Sequence, residues 1–440
     1  LDPSQVQRTW HLHDSPHDGV AVLRRALDKD GSPGGVGPTL DALPTRHPGY
    51  ASLRDAFVWY RQLRAAGGWP TLPDTATLAP GDTAAVAALV DRLDITNDLP
   101  AGTPNGAAPT VYDAAIAEGV RHFQARHGLD TSGVVDADTR RALNVSARQR
   151  TRTLALNLER HRWLPEDRRR GGNNGALVVN VSGFRLFGYR NNRRAFSMPV
   201  IVGEQGWQTP VFADTLTHVV FHPYWNVPRS IALEDLLPQI RADSSFLQRK
   251  GYEVVGPGGR VLPPDSLRRS AIKKQTMRLR QRPDASNALG RVKFLFPNDF
   301  NVYLHDTPAN HLFRRSDRAF SHGCIRVAQP VQVADFVLGR AWPKERIREA
   351  MQPDASRRYV RVQTPVPVYV LYLTAWPTMA GDVQFRDDPY AYDAPLRSAL
   401  HPVASTPPDA CAALDLSRLD GTAASDGVQQ TLERFVARLF

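Results

Sequence analysis

Ser321-His322-Gly323-Cys324-Ile325-Arg326-Val327 leads toward Pro330, placed as a first-turn helix residue, and toward Gly339, placed as a stop. The spacing predicts a turn that feeds a helix over 330–338. The turn holds one of only two cysteines in the chain. A thiol attacks as thiolate, so it needs a base or a positive neighbour. His322 is adjacent, and His305, in Tyr303-Leu304-His305-Asp306, lies upstream with fifteen residues between it and Ser321. Gly323 allows a close backbone approach, and amides around Gly323 and Cys324 can donate to a developing oxyanion. Ser321 reads equally as a turn hydroxyl or a catalytic one. A lone Cys-His pair is more often a buried structural thiol beside a surface histidine; the second histidine and the surrounding sequence favour catalysis.

Working outward, 440 residues predict two or three domains. The composition, 42% hydrophobic and 22% charged, is globular, and 35 prolines favour loops and edge strands over a helical bundle. The net charge of +11 calls for an anionic partner. The basic residues are spread out, with no aromatic-interleaved run, so no nucleic-acid partner is expected; a carboxylate-bearing polymer suits the diffuse charge. No apolar run reaches the length of a membrane span. The sequence begins at Leu1, and we expect an upstream signal or anchor segment to have been removed. Cys411 sits in a tail with no histidine nearby and is expected to be a free bystander. No metal-ligand spacing and no phosphate-binding glycine loop is present, so neither metal nor cofactor is expected.

The fold class expected is α+β. Residues 1–75 read as a helical scaffold, with Leu53, Phe57 and Tyr60 on one stripe, closed by Gly67-Gly68-Trp69-Pro70. Residues 76–147 read as three short helices: Val86, Leu89, Val90 and Leu93 on one, Ile116, Val120 and Phe123 on the next, and a third around Thr139 to Leu143. Residues 148–400 read as a mostly-β domain, with strands at 177–181, 217–221, 291–296, 301–304 and 366–373. Between Trp225 and Gly290 the strand pattern lapses. Leu233, Leu236, Leu237 and Ile240 suggest a helix, and residues 268–282 are strongly basic. This stretch, 229–290, reads as an inserted cap. Residues 401–440 read as a tail ending in a short helix, Val428 to Leu439.

His305, its fifteen-residue spacing and Ser-His-Gly-Cys-Ile-Arg together resemble the signature of YkuD-type L,D-transpeptidases. The flanks Asn287 to Phe294, Tyr303 to Pro308, His222 to Pro228, Asn157 to Trp163 and Thr364 to Tyr369 are similar to the long periplasmic, YcbB-like subgroup. Val120-Arg121-His122-Phe123-Gln124-Ala125-Arg126-His127-Gly128-Leu129, through Asp136 to Leu143, resembles a three-helix peptidoglycan-binding module.

The resemblance implies a mostly-β catalytic domain and a two-step acyl transfer in the periplasm. Cys324 would attack the L,D bond of a tetrapeptide stem, D-Ala would leave, and a diaminopimelate amine would resolve the thioester into a 3→3 cross-link. It implies His305 as base, its ring oriented by a backbone carbonyl near Asp306, with His322 shaping the site or protonating the leaving amine. Arg326, Tyr303, Trp225 and Asp306 are the expected substrate contacts, and Gly323 and Ser321 the oxyanion turn. Residues 76–147 would hold glycan strands, and carbapenem β-lactams would acylate the thiol. The basic insertion would close over acidic stems, with Arg268, Arg269, Lys273 and Lys274 facing them and Gly256-Pro257-Gly258-Gly259 letting it move. Hydrolysis, lipoprotein attachment and a non-catalytic wall-binding scaffold are the alternatives.

Overall fold

The computed structural model describes residues 1–12, 48–73, 77–100, 111–164, 175–191, 193–378 and 381–400. The expected tail helix and Cys411 lie outside them. The main sheet is built from long and short strands: β2 (Ala176–Asn180), β3 (Arg185–Arg190), β4 (Arg193–Gly203), β5 (Val211–Phe221), β10 (Val292–Leu295), β11 (Leu304–His305), β13 (Ile325–Val327) and β14 (Arg358–Leu371). Strand order in this ten-stranded sheet runs β5-β10-β11-β13-β4-β3-β2-β14, and β14 pairs back onto β5, so the sheet closes on itself. Closure satisfies backbone groups that an open edge would leave to water. The interior is a ladder of apolar residues in register. Val219, Phe294, Leu304 and Ile325 lie side by side across four strands, each fully buried.

The N-terminus departs from the expected helical scaffold. Trp10–His11 is a strand, β1, that pairs in parallel with Val211 and Phe212 of β5. Trp10 is buried between Trp163 at 4.8 Å and Tyr392 at 5.4 Å. A two-residue strand carries no alternation, so nothing in the sequence marks it. The expected helix does form over α1 (Pro48–Ala65), burying Leu53 and Tyr60 against Leu154 and Leu158 of α5 (Ala147–Arg162).

Three helices, α2 (Val86–Ile95), α3 (Ala114–His127) and α4 (Ala137–Leu143), enclose a core that includes Leu89, Leu93, Ile116, Val120, Phe123 and Leu143. Asp113 and Asp136 cap α3 and α4 through the amides of Ile116 and Thr139, and Gly128 ends α3 at φ 72°. The C-terminal end of α3 is stapled to the strand Val383–Phe385. Arg386 donates to the Arg126 carbonyl at 2.8 Å, and His127 stacks between Phe123 at 3.8 Å and Phe385 at 5.7 Å. Contacts gather Leu1–Leu396 into one unit and Arg397–Phe440 into a second.

The chain between β5 and β10 has its own core of Val227, Ile231, Leu236, Phe246, Val254, Ile272 and Leu279. It contains four strands that the sequence reading did not find: β6 (Trp225–Asn226), β7 (Tyr252–Val255), β8 (Val261–Leu262) and β9 (Arg278–Gln281). Their shortness hid them, and the opposed pair Glu253 and Arg280, bridged at 2.6 Å, reads in sequence as surface charge. β6 pairs with β9, so the small sheet starts at Trp225, ahead of the expected boundary at 229.

Trp10→Ala removes a large aromatic from a closed pocket and should destabilise the fold by about 3–5 kcal/mol. An unchanged denaturation midpoint would show that β1 is an ornament on the sheet.

Candidate active site

The site grows from one register. β11 runs parallel to β13 with Leu304 opposite Ile325 and His305 opposite Arg326. Side chains alternate along a strand, so Leu304 and Ile325 enter the core while His305 and Arg326 share the other face. One step back on that face are Tyr303 and Cys324, closed by the Ile325 amide donating to the Tyr303 carbonyl at 3.1 Å. On the far side of β11, Lys293 of β10 stands opposite His305. Lys293, Tyr303, His305, Cys324 and Arg326 all line a cleft of about 1070 Å³, as do Trp225, Ser321, His322 and Gly323.

Backbone clamps fix the turn that carries the thiol. Gly323 has φ 101°, a conformation costly for any residue with a Cβ. The Ser321 hydroxyl donates to the Cys324 carbonyl at 2.5 Å and accepts from the Gly323 amide at 3.1 Å. Ser321 is therefore a turn hydroxyl. The same bond occupies the Gly323 amide, so of the two expected oxyanion donors only the Cys324 amide is left by this turn. Thr209 holds the turn from behind: its hydroxyl donates to the Gly323 carbonyl at 2.9 Å and accepts from the Gly203 amide at 2.9 Å.

Cys324 is a free, half-buried thiol. Its Sγ lies 3.6 Å from the Asn301 carbonyl. Asn301 has φ 56°, in a loop that Asn298 knits by donating to the Phe296 and Val302 carbonyls at 2.8 Å each. Burial pushes the thiol pKa up, while hydrogen bonds from Tyr303 and the charges of Arg326 and Lys293 pull it back.

His305 is 4% exposed, and its Nδ1 lies 2.6 Å from the Asp306 carbonyl. A carbonyl only accepts, so Nδ1 carries the proton and Nε2 is left as the ring's acceptor. Burial drops the ring's pKa to about 3, helped by the nearby charges of Arg326 and Lys293. The imidazole is neutral at physiological pH.

Asp306 contributes only that carbonyl to the site. Its carboxylate accepts from the amides of Arg291 at 2.9 Å and Thr307 at 2.8 Å, and the residue does not line the cleft. His322 is exposed, packs against Trp207 at 5.3 Å, and pairs through Nε2 with Asp235 of the insertion at 2.7 Å. Asp235 sits in a π-helical turn, Ala232–Leu236, a distortion common at functional sites. The insertion thus meets the thiol turn with an acid. Arg268, Arg269, Lys273 and Lys274, expected over the cleft, are exposed and absent from its lining; Arg229 is the insertion's basic residue there. Lys293, Thr209, Asn301 and Asp235 escaped the sequence reading. Only Lys293 left a signal, as a charge inside the apolar run Val292-Lys293-Phe294-Leu295.

Residues 174–368 match the L,D-transpeptidase catalytic domain YkuD, and residues 84–143 match a putative peptidoglycan binding domain. That part of the chain is thus similar to YkuD-type L,D-transpeptidase catalytic domains. Over 244 residues it is 34% identical to a curated putative L,D-transpeptidase of Haemophilus influenzae, covering 55% of this chain and 48% of that relative. The chain thus spans about half the length of the relative it matches. Among solved structures, an L,D-transpeptidase from Mycobacterium smegmatis is 14% identical, covering 45% of this chain and 59% of that one, at a TM-score of 0.22. An L,D-transpeptidase from Stackebrandtia nassauensis is 12% identical, with 69% and 96% covered and a TM-score of 0.25. At these scores the structural neighbours carry no argument about this site.

Two outcomes follow from the geometry. A raised thiol pKa means that the nucleophilic thiolate still accumulates as pH climbs through 9, the ordinary thiol value. The alkylation rate of Cys324 by iodoacetamide should therefore keep rising there, with no step between pH 5 and 8 from His305. A plateau reached below pH 7 would instead mean a standing thiolate–imidazolium pair. Thr209→Val keeps the volume but strands two buried backbone groups. It should cost about 1–3 kcal/mol and slow Cys324 alkylation; unchanged stability and rate together would show that the turn holds without the clamp.

Proposed function

We propose that this chain is a peptidoglycan L,D-transpeptidase with Cys324 as nucleophile and His305 as base. The observation that supports the reading is one cleft lined by both a free thiol, Cys324, and a neutral imidazole, His305, whose Nδ1 is held by the Asp306 carbonyl so that Nε2 remains as acceptor. Neither group is charged at rest. Proton transfer from Sγ to Nε2 therefore accompanies attack on the carbonyl, since free imidazolium and thiolate are each disfavoured by burial.

The carbonyl is that of the L,D bond in a donor tetrapeptide stem. Sulfur–carbon bond formation gives a tetrahedral oxyanion, which the Cys324 amide would receive. The carbon–nitrogen bond breaks, the proton on His305 passes to the departing amine, and D-Ala leaves a thioester. The side-chain amine of a second stem's diaminopimelate then attacks, its proton goes to His305, and the thiol is restored as a 3→3 cross-link forms. His322, paired to Asp235, shapes the cleft wall. No cofactor enters this sequence.

Such a substrate puts the enzyme in the periplasm. The three-helix module at residues 84–143 would grip glycan strands while the cleft works on stems. Carbapenems present a strained amide beside a carboxylate and should acylate the same thiol.

Incubation with a disaccharide-tetrapeptide should yield a cross-linked dimer and free D-Ala by mass spectrometry. Cys324→Ala should abolish both that product and the carbapenem adduct, and His305→Ala should slow acylation on the order of a hundredfold. A carbapenem adduct that survives Cys324→Ala would sink the assignment. Monomeric tripeptide as the sole product would make the enzyme a hydrolase.

A further inference from the structure

Several buried arginines of this protein are held by carboxylates or backbone carbonyls. Arg126 pairs with Asp98 at 2.5 Å, Arg160 with Asp393 at 2.7 Å, and Arg92 donates to the Leu143 carbonyl at 2.9 Å. Two half-buried cations that line the cleft are not paired in this way. Lys293 and Arg326 have no carboxylate and no carbonyl partner among the described residues. Among the described residues, the anion that acts on either one is the Cys324 sulfur once it ionises. Lys293 Nζ instead lies over the Tyr303 ring at 5.3 Å. Burial without a counterion is costly, and here it depresses both pKa values. The two flank His305 in one register, Lys293 on one side and Arg326 on the other.

We propose that Lys293 and Arg326 form a carboxylate subsite that reads the free α-carboxylate of the residue leaving from Cys324. The assignment rests on the transpeptidase reading for its ligand, and on the unpartnered cations for its chemistry. Cys324 and Arg326 stand two residues apart on one face of β13, about 7 Å along the strand. A donor ending one residue beyond the scissile carbonyl carries its terminal carboxylate one peptide unit from the bond that breaks. That places the carboxylate over the Lys293–His305–Arg326 row while the carbonyl meets the thiol. A guanidinium fork and an ammonium then supply charge-assisted hydrogen bonds. A stem one residue longer would set a neutral amide against two unpaired cations and lose those bonds, so the row selects chain length.

The test separates the subsite from the reaction. Iodoacetate and iodoacetamide alkylate a thiolate by the same displacement of iodide and differ in one carboxylate. Their rate ratio therefore cancels changes in thiolate supply or folding. On the full chain, read at the Cys324 peptide by mass spectrometry, the iodoacetate-to-iodoacetamide ratio should exceed that of β-mercaptoethanol about tenfold. Lys293→Met and Arg326→Gln should each bring it back to within about twofold. A wild-type ratio equal to that of the small thiol, or one unmoved in both variants, overturns the subsite. A second arm uses three tetrapeptide donors: unmodified, amidated at the D-Ala terminus, and amidated at the distal diaminopimelate carboxyl. Terminal amidation should raise KM at least tenfold, and the penalty should vanish in the variants. A penalty confined to distal amidation assigns the cations to the other carboxylate and overturns the proposal. If the alkylation preference holds but no donor is consumed, the subsite stands and the transpeptidase reading falls.

Discussion

The parallel pairing of β11 with β13 is the constraint on which the rest depends. One hydrogen-bond register buries Leu304 and Ile325 and, by the same alternation, delivers His305, Tyr303, Cys324 and Arg326 to a common surface. A slip of one residue would drive the thiol and imidazole into the apolar interior. The register is held from three directions: β10 and β4 on the flanks, and the Ser321–Thr209 clamp that fixes how the chain enters β13. Catalytic geometry and core packing are here one requirement, so stability of the sheet interior protects the site.

Burial then sets the chemistry. The same desolvation that raises the thiol's pKa lowers the imidazole's, so both groups rest uncharged. Lys293 and Arg326 tilt the balance toward thiolate without protonating His305. The neutral imidazole and the supporting charges belong to separate residues, of which Lys293 and His305 are distant from Cys324 in sequence.

Much of this was legible in the sequence, for physical reasons. β5 and β14 run long enough for alternation to register, and the helix Pro330–Leu338 carries its start and stop signals in its own residues. The thiol, both histidines and Ser321 announced themselves through a local motif. β1, β6 and β8 did not, because two residues have no period. Asn301 acts through its backbone carbonyl, which any residue possesses, and the Thr209 hydroxyl acts on backbone groups more than a hundred residues apart in sequence, at Gly203 and Gly323. Asp306 was expected both as a substrate contact and beside the carbonyl that orients His305; its carboxylate is taken by two backbone amides, and its own carbonyl meets the ring. The lid reading rested on the insertion's place between strands, its glycine turn and its basic composition; composition has no direction, and the folded insertion turns Arg268, Arg269, Lys273 and Lys274 to solvent.

The join between α3 and the strand Val383–Phe385 combines ring stacking with guanidinium–carbonyl bonds in both directions, Arg386 to the Arg126 carbonyl and Arg126 to the Val383 carbonyl. Such a joint does not swivel like a tether. A strand of polymer taken up by the helical module would be offered to the thiol at a set reach, as a workpiece is held in a jig. The protein would then find its next bond by letting go and stepping along the wall, with its grip and its cutting point keeping the same spacing each time.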